Sequence, residues 1–193
     1  KAPPGSLVNA RPPAAVVAGN TETSNRITDA LFTAFGMAVA AVPAMGQGTM
    51  NNITFGGRGW TFYETLGGGQ GASAHGDGPS AVHVGMSNTR NTPIEALERS
   101  YPIRITEYAV RRGSGGAGRH RGGDGVIRQL RALEPLRLSL LTGSRRVPPF
   151  GLAGGEAGAC GRNWLLRRDG REEPLPSCCE LRLEAGEGLR LET

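Results

Sequence analysis

The stretch Leu136–Leu140 reads LRLSL and places a leucine at every second position. Successive side chains of a β-strand point to opposite faces of the sheet. The three leucines therefore share one face, and Arg137 and Ser139 lie on the other. The pattern predicts a strand that buries its leucine face and exposes its polar face.

Downstream of this strand, two hairpins are predicted. Each consists of two strand-like segments around a turn: 163–168 and 171–175 around Asp169-Gly170, and 180–184 and 188–192 around Ala185–Glu187. Asp-Gly is a typical turn dipeptide because glycine adopts positive φ without strain. Residues 101–193 are therefore expected to be mostly antiparallel β-structure.

Upstream, residues 22–41 are predicted to form one long helix. Apolar side chains recur there at the spacing of a single helical face: Ile27, Ala30, Leu31, Ala34, Phe35, Ala38 and Val39. Asn20, Thr21 and Thr23 are candidate N-caps, and Pro43 ends the segment.

A second, short helix is predicted from Thr92-Pro93-Ile94-Glu95, with Thr92 as its cap and its end near Ser100. The expected fold class is α+β, a mixed first half followed by a mostly antiparallel β second half. Four portions are expected: an extended lead-in over 1–19 cut from a longer chain, an α+β portion over 20–112, a glycine-rich connector over 113–125, and a β-rich portion over 126–193.

Composition excludes few functions. The net charge is +5, and Lys1 is the only lysine. The arginines are scattered and often adjoin acidic residues, which favours a compositional bias over a nucleic-acid surface. The longest apolar stretch, Met37–Met45, is too short to span a bilayer. We expect no membrane or nucleic-acid partner.

The three cysteines, Cys160, Cys178 and Cys179, form no C-x-x-C pattern. An odd count without that spacing argues against a disulfide framework or a structural zinc site. Free thiols are typical of a reducing compartment, so a cytoplasmic location is expected.

Glycines dominate residues 64–78, which read ETLGGGQGASAHGDG. The Lys-Ser/Thr of a P-loop is missing, and so is the glycine spacing of a dinucleotide-binding loop. The glycines therefore indicate backbone that approaches another group closely. His75, Asp77 and the following His83 could supply a general base or a metal site, or could hold three unrelated structural positions.

Two other glycine-rich segments each leave two interpretations open. Gly46–Asn52 could hold a carbonyl or carboxylate through paired N–H donors, or could be a turn in which asparagines cap the backbone. Gly113–Gly125 could be an anion-binding nest with arginine arms or a linker, and an RNA-binding role is disfavoured because it has no aromatic residue. Serine-hydrolase and zinc-protease motifs are absent.

The order of motifs along the chain carries more information than any single motif. It runs through NARPPAAVVAGNTETSNRITDALFTAF (9–35), GQGTMNNITFGG (46–57), FYETLGGGQGA (62–72), DGPSAVHVGMSNTRNTPIEALE (77–98) and YPIRITEYAVRRGSGGAGRHRGGDGVIRQ (101–129). This series resembles the hydantoinase B/5-oxoprolinase family, essentially from Ala2 to Glu134. The β-rich tail fits more loosely, and the chain looks like the C-terminal portion of an N-methylhydantoinase B-type subunit.

The resemblance implies an enzyme that opens cyclic amides such as hydantoins or 5-oxoproline. It implies an A-type partner that binds ATP, activation of the amide carbonyl by phosphorylation, a divalent metal in the full complex, and a homo- or hetero-oligomer. The metal-binding residues of the family are expected upstream, so no metal ligand is assigned here and the fragment alone is expected to be inactive. The alternatives are a subunit of an acetone or acetophenone carboxylase and a non-catalytic assembly domain.

For the site, Glu64 and His83 are expected to be catalytic. The expected substrate-lining residues are Asn51, Asn52, Asn88, His75 and Asp77. The glycine-rich loop between Glu64 and Gly78 is expected to lie near a substrate channel or a partner interface.

Overall fold

A computed structural model describes residues 1–39 and 42–193, with the side chain of Thr21 left out. The helices are α1 (Ser24–Ala38) and α2 (Ile94–Ser100). The strands are β1 (Asn52–Gly57), β2 (Trp60–Thr65), β3 (Ile103–Arg111), β4 (Gly125–Ala132), β5 (Leu136–Leu141), β6 (Arg162–Leu166), β7 (Glu172–Leu175), β8 (Cys178–Leu183) and β9 (Gly188–Glu192). The expected α+β class is confirmed.

The strands form two antiparallel sheets, with orders β2-β1-β5-β8 and β3-β4-β9-β6-β7. The leucine face of β5 is buried as predicted, and Leu138 is 0% exposed. One apolar cluster contains Leu138 and Phe55 of the first sheet together with Leu130 and Leu191 of the second. The sheets therefore pack face to face, and each draws strands from both sides of the glycine-rich segment 113–125.

Of the two predicted hairpins, one is confirmed and one is wrong. Strands β6 and β7 pair around the turn at Gly170, which has a φ of 87°. Strand β8 instead pairs with β5, and β9 pairs with β4 and β6. The turn at Ala185–Glu187 carries the chain from one sheet to the other. A β8–β9 hairpin and the observed pairing require the same alternation of side chains along β8 and β9. Only the packing of the two sheets therefore selects the strands with which they pair.

Helix α1 is shorter than predicted. It follows a π-helical turn over Gly19–Thr23, no side-chain cap bonds its first turn, and Val39 is already extended. The predicted positions 40 and 41 lie outside the described residues. Its apolar face is solvent-exposed in this chain, with Leu31 52% and Phe35 56% exposed.

Polar contacts anchor α1 instead. The buried Asn25 accepts a hydrogen bond from the amide of Met86 through Oδ1, and Arg26 donates to Ser144. Helix α2 ends at Ser100 as predicted, but no side chain caps its start. Of the helices that the structure describes, neither is long and apolar enough to cross a membrane. The three cysteines are free thiols.

Candidate functional site: a glycine-walled cavity

Four loops enclose a cavity of about 420 Å³ at one end of the sandwich. They contribute wall residues within 42–51, 69–74, 114–125 and 144–161, and we call the space the glycine-walled cavity. Glycine is required in two of these walls. A Cβ on Gly69 would lie 1.9 Å from the carbonyl oxygen of Gly123, and one on Gly71 would lie 1.9 Å from that of Ala44.

This packing explains the glycines of the loop after Glu64. They let one stretch of backbone lie directly against others, which is the close approach that the sequence indicated. The neighbouring groups are backbone carbonyls of this chain at Gly69 and Gly71, and the side chain of Gln47 at Gly68. The loop thereby forms part of the cavity wall.

The segment Gly113–Gly125 also lines the cavity. Its amides are partly occupied by carboxylates of the same chain: Gly115 donates to Asp124 at 2.9 Å, and Arg121 donates its backbone N–H to Asp77 at 2.8 Å. Burial opposes ionisation of Asp124, but the backbone hydrogen bonds from Gly115 and Gly113 outweigh it and lower its pKa. The segment is thus both a connector and a wall, and Asp124 fills part of the nest.

Gln47, Asn51 and Arg145 form a hydrogen-bonded chain along the cavity wall. Arg145 donates through Nη1 to Oδ1 of Asn51 at 2.9 Å. Asn51 in turn donates through Nδ2 to Oε1 of Gln47 at 2.7 Å. Because an amide group has one acceptor oxygen and one donor nitrogen, this order leaves Gln47 with its NH₂ as the free end.

The Nε2 of Gln47 is buried and has no acceptor among the described residues. The residue as a whole is only 6% exposed. A buried donor without an acceptor costs about 1–3 kcal/mol, so such groups are unusual unless a ligand or water satisfies them. Gln47 is therefore the wall residue with the clearest unused hydrogen-bonding capacity.

Arg145 brings a positive charge to the same wall. Its four hydrogen bonds go to neutral oxygens, those of Asn51, Gly143 and Asn163. Among the described residues, no carboxylate lies within ion-pair distance of its guanidinium. Burial, and then the charge of Arg111, lower the pKa of Arg145 to about 10, so it remains charged at neutral pH.

Of the predicted substrate-lining residues, Asn51 is in the cavity wall. It is fully buried and has a φ of 47°, a left-handed conformation that asparagine tolerates better than most residues. Asn52 is buried on the other side of the strand. Its Nδ2 donates to Glu22 at 3.1 Å and its Oδ1 accepts from Tyr63, so it ties the start of α1 to the first sheet.

Glu64 lies away from the cavity lining. Its Oε2 is 2.7 Å from Nη1 of Arg128, and its Oε1 accepts the backbone N–H of Thr92 at 2.8 Å. Both charged side chains are buried, 7% and 2% exposed. The Arg128 guanidinium also stacks over the ring of Tyr108, with 5.1 Å to the ring centroid.

His83 lies at the start of the segment 83–92, whose last residue, Thr92, donates its backbone N–H to Glu64. Its Nε2 is 3.2 Å from Oγ1 of Thr89, which is 2.7 Å from Oγ1 of Thr65, the residue after Glu64. Its Nδ1 has no partner among the described residues, and burial lowers the pKa of the imidazole. The segment 83–92 thus brings His83 and Glu64 into one polar neighbourhood without a direct contact.

The remaining predicted residues are exposed. Asn88 and His75 lie on the surface, where His75 donates its backbone N–H to Ser73. Asp77 is 3.5 Å from Nδ1 of His120, across the cavity rim from its own loop. Their roles as substrate-lining residues stay predictions.

Sequence patterns did not identify two of the residues in the cavity wall, Gln47 and Arg145. Gln47 lies inside the predicted Gly46–Asn52 motif but was not selected, although that motif was expected to present N–H donors. Arg145 follows β5 in a loop with no motif of its own. Only the fold, which places position 145 beside position 51, identifies it.

The described part of the chain contains neither a cluster of metal ligands nor a P-loop. Residues 1–39 and 42–193 contain no group of three or more His, Cys, Asp or Glu side chains placed to hold an ion. The glycine-rich loops lack the lysine and hydroxyl of a P-loop.

The fold and the cavity together define a two-sheet α+β unit with a ligand-sized cavity between loops. The chain belongs to the Hydantoinase B/oxoprolinase family, whose model matches residues 1–193. The expected family membership is therefore confirmed, and the match includes the β-rich tail.

Known proteins resemble the chain over nearly all its length. It is 44% identical over 193 residues to an uncharacterized protein of Methanocaldococcus jannaschii and covers 34% of that protein. It is 41% identical over 187 residues, 97% of the chain, to a 5-oxoprolinase of Dictyostelium discoideum and covers 14% of it. The crystal structure of the ATP-dependent caprolactamase from Pseudomonas jessenii superposes on the whole chain with a TM-score of 0.83 at 27% identity, over 36% of its own length. The chain thus spans about a third or less of these relatives.

Proposed function

We propose that the chain is the C-terminal part of the B-type subunit of an ATP-dependent cyclic-amide hydrolase. The family membership and the superposition on a caprolactamase support the reaction class. The likeness to a 5-oxoprolinase supports a small ring amide as substrate. The proposed partner is an A-type subunit or domain that binds ATP.

The observation that carries the role of this chain is that Gln47 lines the cavity and that its buried Nε2 has no acceptor among the described residues. A ring amide presents a carbonyl oxygen, and a buried N–H donor is the group that would hold it. The cavity of about 420 Å³ falls within the range of small-molecule sites, roughly 300–1,000 Å³. The wall therefore has both the space and the donor that such a ring needs.

The positioned donor also suits the chemistry. When an amide carbonyl is activated or attacked, its oxygen gains negative charge, and fixed donors stabilise that charge more than the starting carbonyl. Asn51 orients the Gln47 amide by holding its oxygen, and Arg145 holds Asn51. What ATP supplies in such a complex is activation of the amide oxygen, and we assign ATP and the divalent metal to the partner and the rest of the complex.

We propose that His83 is a catalytic base of the complete enzyme and that Glu64, which the sequence predicted to be catalytic, positions the segment beside it. The Nδ1 of His83 has no partner among the described residues, and burial lowers the pKa of the imidazole, which favours the neutral form that a general base needs. Glu64 is held by Arg128, so it would act by positioning the segment 89–92 rather than by touching a ring in the cavity.

The test is ATP-dependent ring opening by the intact protein co-expressed with its A-type partner, on hydantoin, N-methylhydantoin, 5-oxoproline and caprolactam. Turnover of one ring that falls at least tenfold in Gln47→Leu, with complex formation intact, supports the proposal. Gln129→Leu, in β4 and outside the cavity lining, is the matched control because its Nε2 also donates a hydrogen bond, to Thr106.

Two other outcomes would replace the proposal. Bicarbonate-dependent ATP consumption on acetone or acetophenone, without ring opening, would move the protein to the ketone carboxylases. Unchanged turnover in Gln47→Leu and His83→Gln, together with complex assembly that fails when this chain is altered, would make it an assembly domain.

A further inference from the structure

The charges around the glycine-walled cavity are unbalanced. Its titratable wall residues are Arg119, His120, Arg145 and Glu156. Arg119 and Glu156 are exposed at the rim, whereas Arg145 lies deeper, with neutral oxygens as its hydrogen-bond partners. The interior wall therefore carries a positive charge with no carboxylate within ion-pair distance among the described residues, and Glu22 and Glu192 stabilise it only from farther away.

The carboxylates nearest to Arg145 already have partners. Glu192 is bound by Arg111 at 3.1 Å and by Arg190 at 3.2 Å. Glu22 accepts hydrogen bonds from Thr49, Met50 and Asn52. Neither carboxylate is free to move onto Arg145 without breaking these contacts.

A buried charge is costly unless it is paired, so a ligand of opposite charge would be favoured beside Arg145. Here the charge stands two hydrogen bonds away from a buried donor, Nε2 of Gln47, which also lacks an acceptor. The donor needs an oxygen acceptor, and the charge favours an oxygen that is negative, so one oxyanion would satisfy both features. A neutral ring would satisfy the donor and leave the charge unbalanced.

We propose that the glycine-walled cavity binds an oxyanion, with Gln47 donating to it and the Arg145 charge selecting for it. The group would be either a carboxylate carried by the ring substrate or a phosphoryl oxygen. This inference rests on the proposed function only for the identity of the ring, since anion binding can be measured without turnover. Gln47 and Arg145 would be its specificity-determining residues.

The experiment measures binding to the intact protein by calorimetry with three probes: 5-oxoproline, its decarboxylated analogue 2-pyrrolidinone, and inorganic phosphate. We expect 5-oxoproline to bind about tenfold or more tightly than 2-pyrrolidinone if the anion is the ring carboxylate. Competitive binding of phosphate, with equal and weak binding of both rings, would identify a phosphoryl site. Equal binding of both rings and no binding of phosphate would overturn the proposal.

Two variants test whether the anion binds in the glycine-walled cavity. Gln47→Glu keeps an oxygen for Asn51 and places a negative charge beside the cavity, so anion affinity should fall by about tenfold or more. Gln129→Glu makes the same change outside the cavity and should leave it unaltered. If Gln47→Glu and Gln129→Glu behave alike, the site is not the glycine-walled cavity.

Glu156→Gln provides a second test of anion binding if Gln47→Glu fails to fold. Glu156 is exposed at the rim, so its neutralisation should not affect folding. It should tighten anion binding by about twofold and leave 2-pyrrolidinone unaffected. An anion affinity that does not change would count against the proposal. If the intact protein binds the anion but opens no ring, the proposed function is wrong and the anion site still stands.

Discussion

Arg145 and Asn51, which are 94 residues apart, meet through a 2.9 Å hydrogen bond from Nη1 to Oδ1 in the wall of the glycine-walled cavity. Asn51 in turn donates a hydrogen bond to Gln47, so the orientation of the Gln47 amide also depends on Arg145. The bond joins the loop after β5 to the loop before β1, which are strands that pair in the same sheet. The orientation of the site thus depends on the register of that sheet.

Asn51→Ala tests this bridge. It removes one buried hydrogen bond to Arg145 and one to Gln47, and it places alanine at a φ of 47°. We expect a loss of about 2–4 kcal/mol in the free energy of unfolding, measured by urea denaturation. Asn88→Ala, at an exposed asparagine, should change it by less than about 0.5 kcal/mol. Equal effects of the two substitutions would show that the bridge is not structural.

Glu64→Gln tests the buried ion pair. Without Glu64, Arg128 keeps a charge that is 2% exposed and has lost its counter-ion at 2.7 Å. We expect a loss of about 3–5 kcal/mol in the free energy of unfolding. Arg182→Gln breaks an exposed pair with Glu184 and should cost at most about 1 kcal/mol. Full stability in Glu64→Gln, with activity lost, would instead support a direct catalytic role.

Asp29 makes the stability depend on pH. Burial raises its pKa from 3.8 to about 6, against the opposing charge of Arg26. The folded chain therefore binds more protons than the unfolded chain between these values, and stability falls as pH rises from about 4 to about 6.

Asp29→Asn should accordingly raise the free energy of unfolding by about 1–3 kcal/mol at pH 7, and the gain should vanish below pH 4. The measurement is urea denaturation at a series of pH values. Asp169→Asn is the control with the opposite sign, because hydrogen bonds from Arg171 lower the pKa of Asp169. A gain that does not depend on pH would mean that Asp29 is not the titrating group.

Gly71→Ala tests the cavity wall. The new Cβ would lie 1.9 Å from the carbonyl oxygen of Ala44, so backbone must move. We expect a loss of stability of about 1–3 kcal/mol and weaker ligand binding in the cavity. Gly76→Ala lies in the same loop with nothing within 4 Å of its Cβ, and should change neither. Thermal melting and calorimetry measure the two effects.

Secondary-structure elements could be predicted from the sequence where a side chain and its neighbours along the chain determine the local conformation. The alternation at Leu136–Leu140 predicted β5, Asp169-Gly170 predicted the β6–β7 hairpin, and Thr92-Pro93-Ile94-Glu95 predicted α2. The site was only partly readable. Asn51 was found because its motif is local, whereas Arg145 has no local signal and reaches the wall through the pairing of β1 with β5.

By itself the sequence determined the fold class, the family, the positions of most strands and the close backbone approach of the glycine-rich loop after Glu64. These depend on short-range sterics and on side-chain alternation, which act over a few residues. Only the tertiary structure decided that β8 and β9 enter different sheets, that Glu64 pairs with Arg128, and that Gln47 and Arg145 share a wall. Those outcomes depend on which distant surfaces bury one another, and no local pattern encodes that choice.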